Sequence, residues 1–320
     1  MIRCDLHAFY YGALMFKHDP LKLREKNNSA FFYFYLLYND PRVMTVPFIG
    51  GFELARVWDA DYKKARTMVE IFGGKGAVAC ESFEEVSDGV DLVFIAECNG
   101  DGSDHLKLAT PSLKKGVPTY VDKPLAFNLK DAQAIVKLAR QQRTCTMSLS
   151  MLREVPQVTQ FRRRFAELEY PDFIMIKGGG TSMAGQIHAI SLAQHLCGFG
   201  VKSVESMGRH PLGFVHLNYG RAKNKPQNGV MLNCDSGGTL HCAFYLMATS
   251  PKGAIHSPPI GDFEFPYGAG IILEKIKKMV RTGRPPAPYE EMLENIAVAD
   301  AARLAQKRGR AVKLSEVWKR

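Results

Sequence analysis

The sequence predicts an α/β chain in two parts: a doubly wound parallel sheet over roughly residues 1–150, then an α+β unit over 151–320 with a large open mixed or antiparallel sheet. Three observations carry this. From about residue 50, short apolar strands alternate regularly with helical patterns. Those strands are nearly continuous apolar runs, as strands covered by helices on both faces must be. After residue 150 the strand-like segments lengthen and follow one another with fewer helices between them.

In chain order, "MIRC" (1–4) is the only segment that can serve as a first strand, and "DLHAFYYGALM" reads as the first helix. Residues 19–41 lengthen the first crossover, and the aromatic run "AFFYFYLLY" (30–38) reads as a packed or interface element. Strands follow at "FELARVWD" (52–59), "AVAC" (77–80), "DLVFIAEC" (91–98), "VPTYVD" (117–122) and "TCTMSLSM" (144–151). Between them lie the helical patterns "DYKKARTMVEIF", "SFEEVSDG", "SDHLKLATPSLKKG" and "NLKDAQAIVKLARQQ". The last is the clearest: Asn128 caps it, and Ala132, Ile135, Leu138 and Ala139 form one apolar stripe. In the second half, strands are expected at 172–178, 201–208, 228–234 and 238–247, and helices near 154–167, 186–197, 270–281 and 288–307.

Composition excludes several classes. No run approaches the ~20 apolar residues of a membrane span, and no signal peptide is read, so a cytoplasmic protein without membrane contact is expected. Seven scattered cysteines, never spaced as Cys-x-x-Cys, argue against a disulfide framework and against a metal site, and fit a reducing compartment. The net charge of +10 gathers at 161–165, 274–284 and 306–310 without a nucleic-acid motif. It reads as solvated helix faces and a general attraction for anionic ligands, not as a nucleic-acid footprint.

The stretch "PTYVDKPLAF" (118–127) carries the chemistry. In open α/β sheets ligands bind outside the carboxyl ends of the strands, and Lys123 stands at such an end. Pro124 biases the preceding residues toward extended geometry, which is expected to hold the lysine out over a cleft. Here the sequence resembles the Gfo/Idh/MocA family of NAD(P)-dependent oxidoreductases, the glucose-fructose oxidoreductase and inositol dehydrogenase type. "YVDKPLAFNLKDAQAIVKLA" is similar to the Glu-Lys-Pro segment ending that family's fifth Rossmann strand, with Asp122 in place of Glu. "ARVWDADYKKA", "DLVFIAECNGDGSDHLKLA", "MLREVP", "GQIHAISLAQHLCG" and the C-terminal "GRPPAPYEEMLENIAVADAARLAQKRGRAVKL" resemble further family segments in the family's order.

The resemblance implies a Rossmann-type domain over 1–150 and a substrate-binding and oligomerisation domain over 151–320. It implies NAD as cofactor, with Asp59 accepting the adenosine ribose hydroxyls; Lys63 and Arg66 nearby leave NADP open. Asp5, Leu6 and His7 stand at the turn that faces the cofactor, Asn99 and His105 in the segment that flanks it, and Asp122 and Lys123 at its nicotinamide end. Lys123 would bind the reacting hydroxyl and relay its proton, and His188 would be the base that takes it. Arg153, His256 and Tyr267 are the candidate substrate residues, the last two being alternative proton acceptors. The substrate would be a sugar, a polyol or a related hydroxy compound.

Two positions depart from the family pattern. The acid expected one helical turn before the histidine is Ala184, and the glycine-rich turn holds Arg3, Asp5 and Ala8. These departures leave open a lyase, epimerase or glycosidase-like enzyme using NAD transiently, and a non-catalytic sensor or scaffold. They equally leave open a truncated start or an atypically bound cofactor. In "GTLHCAFYLMA" (238–248) one strand face carries Leu240, Cys242, Phe244 and Leu246, and the other His241, Tyr245 and Met247. An apolar second face, together with the resemblance, predicts a homo-oligomer, dimer or tetramer, through the second sheet.

Overall fold

A computed structural model describes residues 1–37, 48–234, 244–261 and 263–318. Its first sheet is parallel and doubly wound, as expected. Strands Val93–Ile95, Thr119–Val121 and Thr146–Met147 form one ladder, and Arg56–Val57 with Val78–Ala79 another. Ile2 stitches the two together, bridging Trp58 on one side and Ile95 on the other. Its N–H donates to the Phe94 carbonyl at 2.8 Å, and its own carbonyl accepts from Ala96 N at 3.0 Å. "MIRC" is therefore the central strand, reduced to one bridging residue. The spatial order is 78–79, 56–58, 2, 93–95, 119–121, 146–147, and it reverses beside Ile2. That is the switch point at which such sheets bind ligands.

The covering helices follow from their caps and stripes. Leu129–Gln141 starts where Asn128 Oδ1 accepts from Asp131 N at 2.9 Å, and Leu129, Ala132, Ile135, Val136 and Ala139 are buried. Leu138, expected on the stripe, packs partly buried at its margin. Tyr62–Phe72 and His105–Lys114 complete the expected set, while "SFEEVSDG" shortens to a 3₁₀ turn, Glu84–Ser87.

The second sheet has seven strands in the order 253–256, 245–250, 173–177, 230–233, 214–218, 203–207, 312–313. It is mixed: Phe173–Lys177 pairs parallel with Val230–Asn233, and the other neighbours are antiparallel. Strands Phe214–Asn218, Gly253–His256 and Val312–Lys313 were not expected from the sequence. Of the strand expected at 238–247, Tyr245–Ser250 is observed, and residues 235–243, His241 among them, lie outside the described residues. One face packs under the helix Met183–Cys197, with Ile174, Ile176, Val230, Leu232 and Leu246 buried. The other face presents Phe173, Met175, Met231, Phe214, Tyr245 and Met247, none of them fully buried.

The division at residue 150 separates the sheets but not the helices. Phe265–Thr282 returns to pack on Leu6–Met15, and Tyr289–Arg308 packs on both Leu129–Gln141 and the strand Ser203–Met207. Among the described residues no helix is long and apolar enough to cross a membrane.

Candidate active site

Lys123 follows a strand, Thr119–Val121, whose three residues are all buried. The Lys123–Pro124 peptide is cis. The lysine is not held out over an open cleft: it is only 3% exposed. Its ammonium donates to the Cys98 carbonyl at 2.6 Å and reaches the Ala184 carbonyl at 3.5 Å. One carbonyl comes from the loop after Val93–Ile95 and the other from the first turn of Met183–Cys197, so the two units close on the lysine between them.

Asp122, fully buried, anchors the other side of this group. Its Oδ1 accepts Lys123 N at 2.8 Å, and its Oδ2 accepts Glu97 N at 3.2 Å and lies 2.5 Å from His7 Nδ1. Burial works against a charged His7, yet the Asp122 carboxylate outweighs it and lifts the imidazole to about 10. Burial likewise opposes ionisation of Asp122, and His7 and Lys123 together still hold its carboxyl below the ordinary carboxylate range. At neutral pH the trio His7–Asp122–Lys123 therefore carries one net positive charge.

His188 is positioned by backbone packing at the start of its helix. Gly178, Gly179 and Gly180 turn with φ of +130°, +94° and +77°, and a Cβ on Gly185 would come 1.5 Å from the Gly179 carbonyl oxygen. Only glycine allows the helix start to lie on that turn. Ser182 caps the helix through Gly185 N at 3.2 Å. His188 then falls one turn after Ala184, whose carbonyl receives Lys123. The ring is 8% exposed, meets Phe244 edge-on at 6.0 Å between centroids, and has Nδ1 2.6 Å from Ser150 Oγ. Burial, with Lys123 and His7 adding to it, holds its pKa well below the usual value, so the imidazole is neutral at pH 7.

The turn into the first helix is unlike a glycine cradle. Arg3 itself has φ +68°, in the region glycine favours, and its guanidinium is ion-paired to Glu97 and Asp104. Glu97, Asp104 and His105 are close enough together to hold a metal ion, but Arg3 already supplies the cation. His105 is fully buried, with Nδ1 2.8 Å from the Pro124 carbonyl and Nε2 3.0 Å from Glu97 Oε2, and burial lowers its pKa. It braces the loop, while Asn99 is exposed on it. Asp5 caps Leu6–Met15 through Ala8 N at 3.1 Å, and its other oxygen accepts Cys98 N. Asp59, at the end of the second strand, accepts Cys4 N at 2.7 Å and Asp61 N at 2.8 Å.

A dinucleotide fits the two ends of this arrangement. Asp59 ends the second strand on one side of the switch point, and Lys123 with His188 stands across it. Between them the first-turn N–H groups of Leu6–Met15 provide the usual place for phosphates, but the Asp5 carboxylate shares it.

Of the substrate candidates, Arg153 is held against the histidine helix, and His256 and Tyr267 lie on other faces. Arg153 directs its guanidinium to Gln194 at 3.2 Å, Glu154 at 3.3 Å and Glu291 at 3.9 Å. His256 pairs with Met247 across the sheet, on the face opposite Phe244 and His188, and is exposed. Tyr267 lies on the outer side of Phe265–Thr282, in a groove with Pro156 and Ile271. Sequence reasoning missed Ser150, Glu97 and Arg3, which respectively orient His188, brace His105 and fill the acidic cluster.

Residues 35–149 match the Gfo/Idh/MocA family, described as an oxidoreductase family with an NAD-binding Rossmann fold. The match begins beyond the turn that lacks the glycines. YceM of Salmonella typhimurium, an inferred oxidoreductase, is 30% identical over 169 residues, 53% of this chain and 45% of that protein. The chain thus spans under half the length of that curated relative. Among solved structures, myo-inositol 2-dehydrogenase from Lactobacillus plantarum superposes with a TM-score of 0.67 at 13% identity, covering 82% of this chain and 92% of that one. An oxidoreductase from Agrobacterium radiobacter, in complex with NAD+, L-tartaric acid and magnesium, gives 0.66 at 16% identity, covering 98% and 97%. The Rossmann-type fold read from the sequence is borne out.

Proposed function

We infer, from a chain that carries the Gfo/Idh/MocA family's NAD-binding unit over residues 35–149, that this protein is an NAD(P)-dependent oxidoreductase acting on a CH–OH group of a sugar, polyol or related hydroxy compound. One observation carries the reading beyond the family: the Lys123 ammonium reaches the carbonyl exactly one helical turn before His188, at the carboxyl end of the sheet. A charged donor and a neutral imidazole are thereby placed together where such sheets bind ligands.

When bound, NAD would supply the acceptor for the substrate hydride. Asp59 binds the adenosine ribose hydroxyls, and the first-turn N–H groups of Leu6 and His7 face the phosphates. Lys123 orients the reacting hydroxyl and stabilises negative charge developing on its oxygen, helped by the net positive charge of the His7–Asp122–Lys123 trio. His188 takes the hydroxyl proton at Nε2, the ring nitrogen not held by Ser150. Burial of both groups keeps water away from the proton transfer.

The open face of the seven-stranded sheet, with Tyr245 41% exposed, is the surface through which we expect a dimer or tetramer to assemble. Among the described residues Cys4, Cys80, Cys98, Cys145 and Cys197 are free thiols, which fits a reducing cytoplasm. The Asp5 carboxylate at the phosphate position favours a second reading, a sensor or scaffold that has given up turnover.

Fluorescence titration with NADH and NADPH tests the proposal. NADH should bind, and more tightly than NADPH, because Asp59 repels a 2′-phosphate. Tighter NADPH binding would overturn the role of Asp59, and binding of neither nucleotide would put the second reading first.

A further inference from the structure

The acid that the family resemblance leads one to expect behind His188 is absent, and Ala184 offers only its backbone carbonyl to Lys123. Another group holds the ring. Ser150 Oγ lies 2.6 Å from His188 Nδ1, and Ser150 is itself buried at the junction between the last strand of the parallel sheet and the Met151–Glu154 turn. The same oxygen accepts Leu152 N at 3.2 Å, which fixes its position against the backbone. A serine oxygen has two lone pairs and one proton, so one lone pair and the proton remain for His188 and one other partner.

A narrow void of about 10 Å³ borders Ser150, lined by Lys123, Ser148, Ser191 and Asn295 together with apolar side chains such as Leu125 and Met292. That is roughly the space of one water molecule. Asn295 donates through Nδ2 to Ser191 Oγ at 3.4 Å, while its buried Oδ1 has no hydrogen-bond partner. A buried acceptor is costly to leave unpaired, so this void is a place where a water would be retained.

We propose that Ser150 is the positioning residue of this site, accepting the Nδ1 proton of His188 and passing its own hydroxyl proton's hydrogen bond to a single water held by Asn295 Oδ1, so that Nε2 is left as the proton acceptor. This rests on the oxidoreductase reading for its use but not for its geometry. The alternative pattern, with the serine hydroxyl donating to Nδ1, would put the ring proton on Nε2 and make His188 a donor. The unpaired Asn295 oxygen and the void beside Ser150 favour the first, because they give the serine proton an acceptor.

The test is the ¹⁵N spectrum of the full chain labelled in histidine, with the His188 signals identified by their loss in His188→Gln. Wild type should show a neutral ring protonated at Nδ1, and Ser150→Thr, which keeps the hydroxyl, should preserve that form. Ser150→Ala should lose the single tautomer, and Asn295→Leu, which fills the void, should shift it toward Nε2–H. In turnover assays Ser150→Ala should lower kcat about tenfold or more with KM nearly unchanged. An Nε2–H ring in wild type, or a tautomer indifferent to Ser150→Ala, would overturn the proposal; so would a Ser150→Thr ring that behaves like the alanine variant. The spectra need neither cofactor nor substrate. A wild type that binds no nucleotide yet shows the Nδ1–H ring would remove the oxidoreductase reading and leave this one standing.

Discussion

His7 Nδ1 lies 2.5 Å from Asp122 Oδ2, an ion pair between the first turn of the first helix and the end of a buried strand, across 115 positions of sequence. Removing one partner of a buried pair strands the other, which costs about 3–5 kcal/mol. His7→Gln should therefore destabilise the protein by about 3 kcal/mol at neutral pH, read as a fall in the urea midpoint. The pH dependence has a definite sign. Folding raises the proton affinity of His7, so its contribution is full below 6.5 and is lost as pH climbs to about 10. Asp122 is held low, so its contribution fades only in acid, through and below the ordinary carboxylate range. The gap between wild type and His7→Gln should close between pH 6.5 and 10. A gap that is constant over that window would show the pair to be uncharged.

His188 and Lys123 are coupled through charge, and the coupling can be read in a pH profile. Because burial and Lys123 keep His188 neutral well below its usual range, kcat should be flat from pH 8 down through 6.5, with the acid limb lower. Lys123→Ala should cut kcat by about two orders of magnitude and also move that acid limb upward, since one of the charges opposing protonation is gone. A reduced rate with an unmoved acid limb would mean that Lys123 acts without influencing His188.

Asp5 makes the opposite case, a charge in the wrong place. Its carboxylate caps Leu6–Met15 through one oxygen and accepts Cys98 N through the other; an asparagine keeps the cap with its single oxygen and gives up the Cys98 bond. Asp5→Asn should keep the helix cap and remove the negative charge that, on the proposed reading, faces the cofactor phosphates. NADH affinity should rise about two- to fivefold, the scale of one charge at a helix N-terminus. Weaker binding would show that the carboxylate itself helps to hold the nucleotide.

Much of this was legible in the sequence, and what was not has physical causes. The doubly wound sheet showed because each strand is a short apolar run between amphipathic helices, and the Asn128 cap sits where its spacing puts it. The role of "MIRC" was hidden because one bridging residue has no periodicity; Ile2 is central only by virtue of the two neighbours it joins. Phe214–Asn218 was missed because its outward positions hold His216 and Asn218, which break the apolar signal. Lys123 and His188 could be picked from their motifs, but the partners that set their behaviour could not. Asp122 meets His7, and Ser150 meets His188 across 38 positions, and nothing local in the sequence links either pair. The same limit applies to Arg153, His256 and Tyr267, each chosen for chemistry: Arg153 is held by Gln194 on the histidine helix, while His256 lies on the open sheet face and Tyr267 in an outer groove.

The last expectation concerns the open sheet face. Phe244 and Leu246 are buried under the histidine helix, while Tyr245 and Met247 point the other way, as strict alternation requires. Register then places Met175 and Met231 beside Met247, and Lys177 and Asn233 beside Tyr245, with the Lys177 ammonium 5.6 Å from the tyrosine ring centroid. Four adjacent strands thus turn methionines and aromatics outward, where a sheet face in water normally carries polar side chains. A second copy of the chain would bury them, and we expect a dimer or tetramer in light scattering at micromolar concentration. Tyr245→Glu places a carboxylate in that contact and should shift the population toward monomer without lowering the melting temperature of the monomer itself. Because Tyr245 and His188 sit on opposite faces of the sheet, NADH affinity should be unaffected by the change. A wild type that is monomeric at those concentrations would remove the interface.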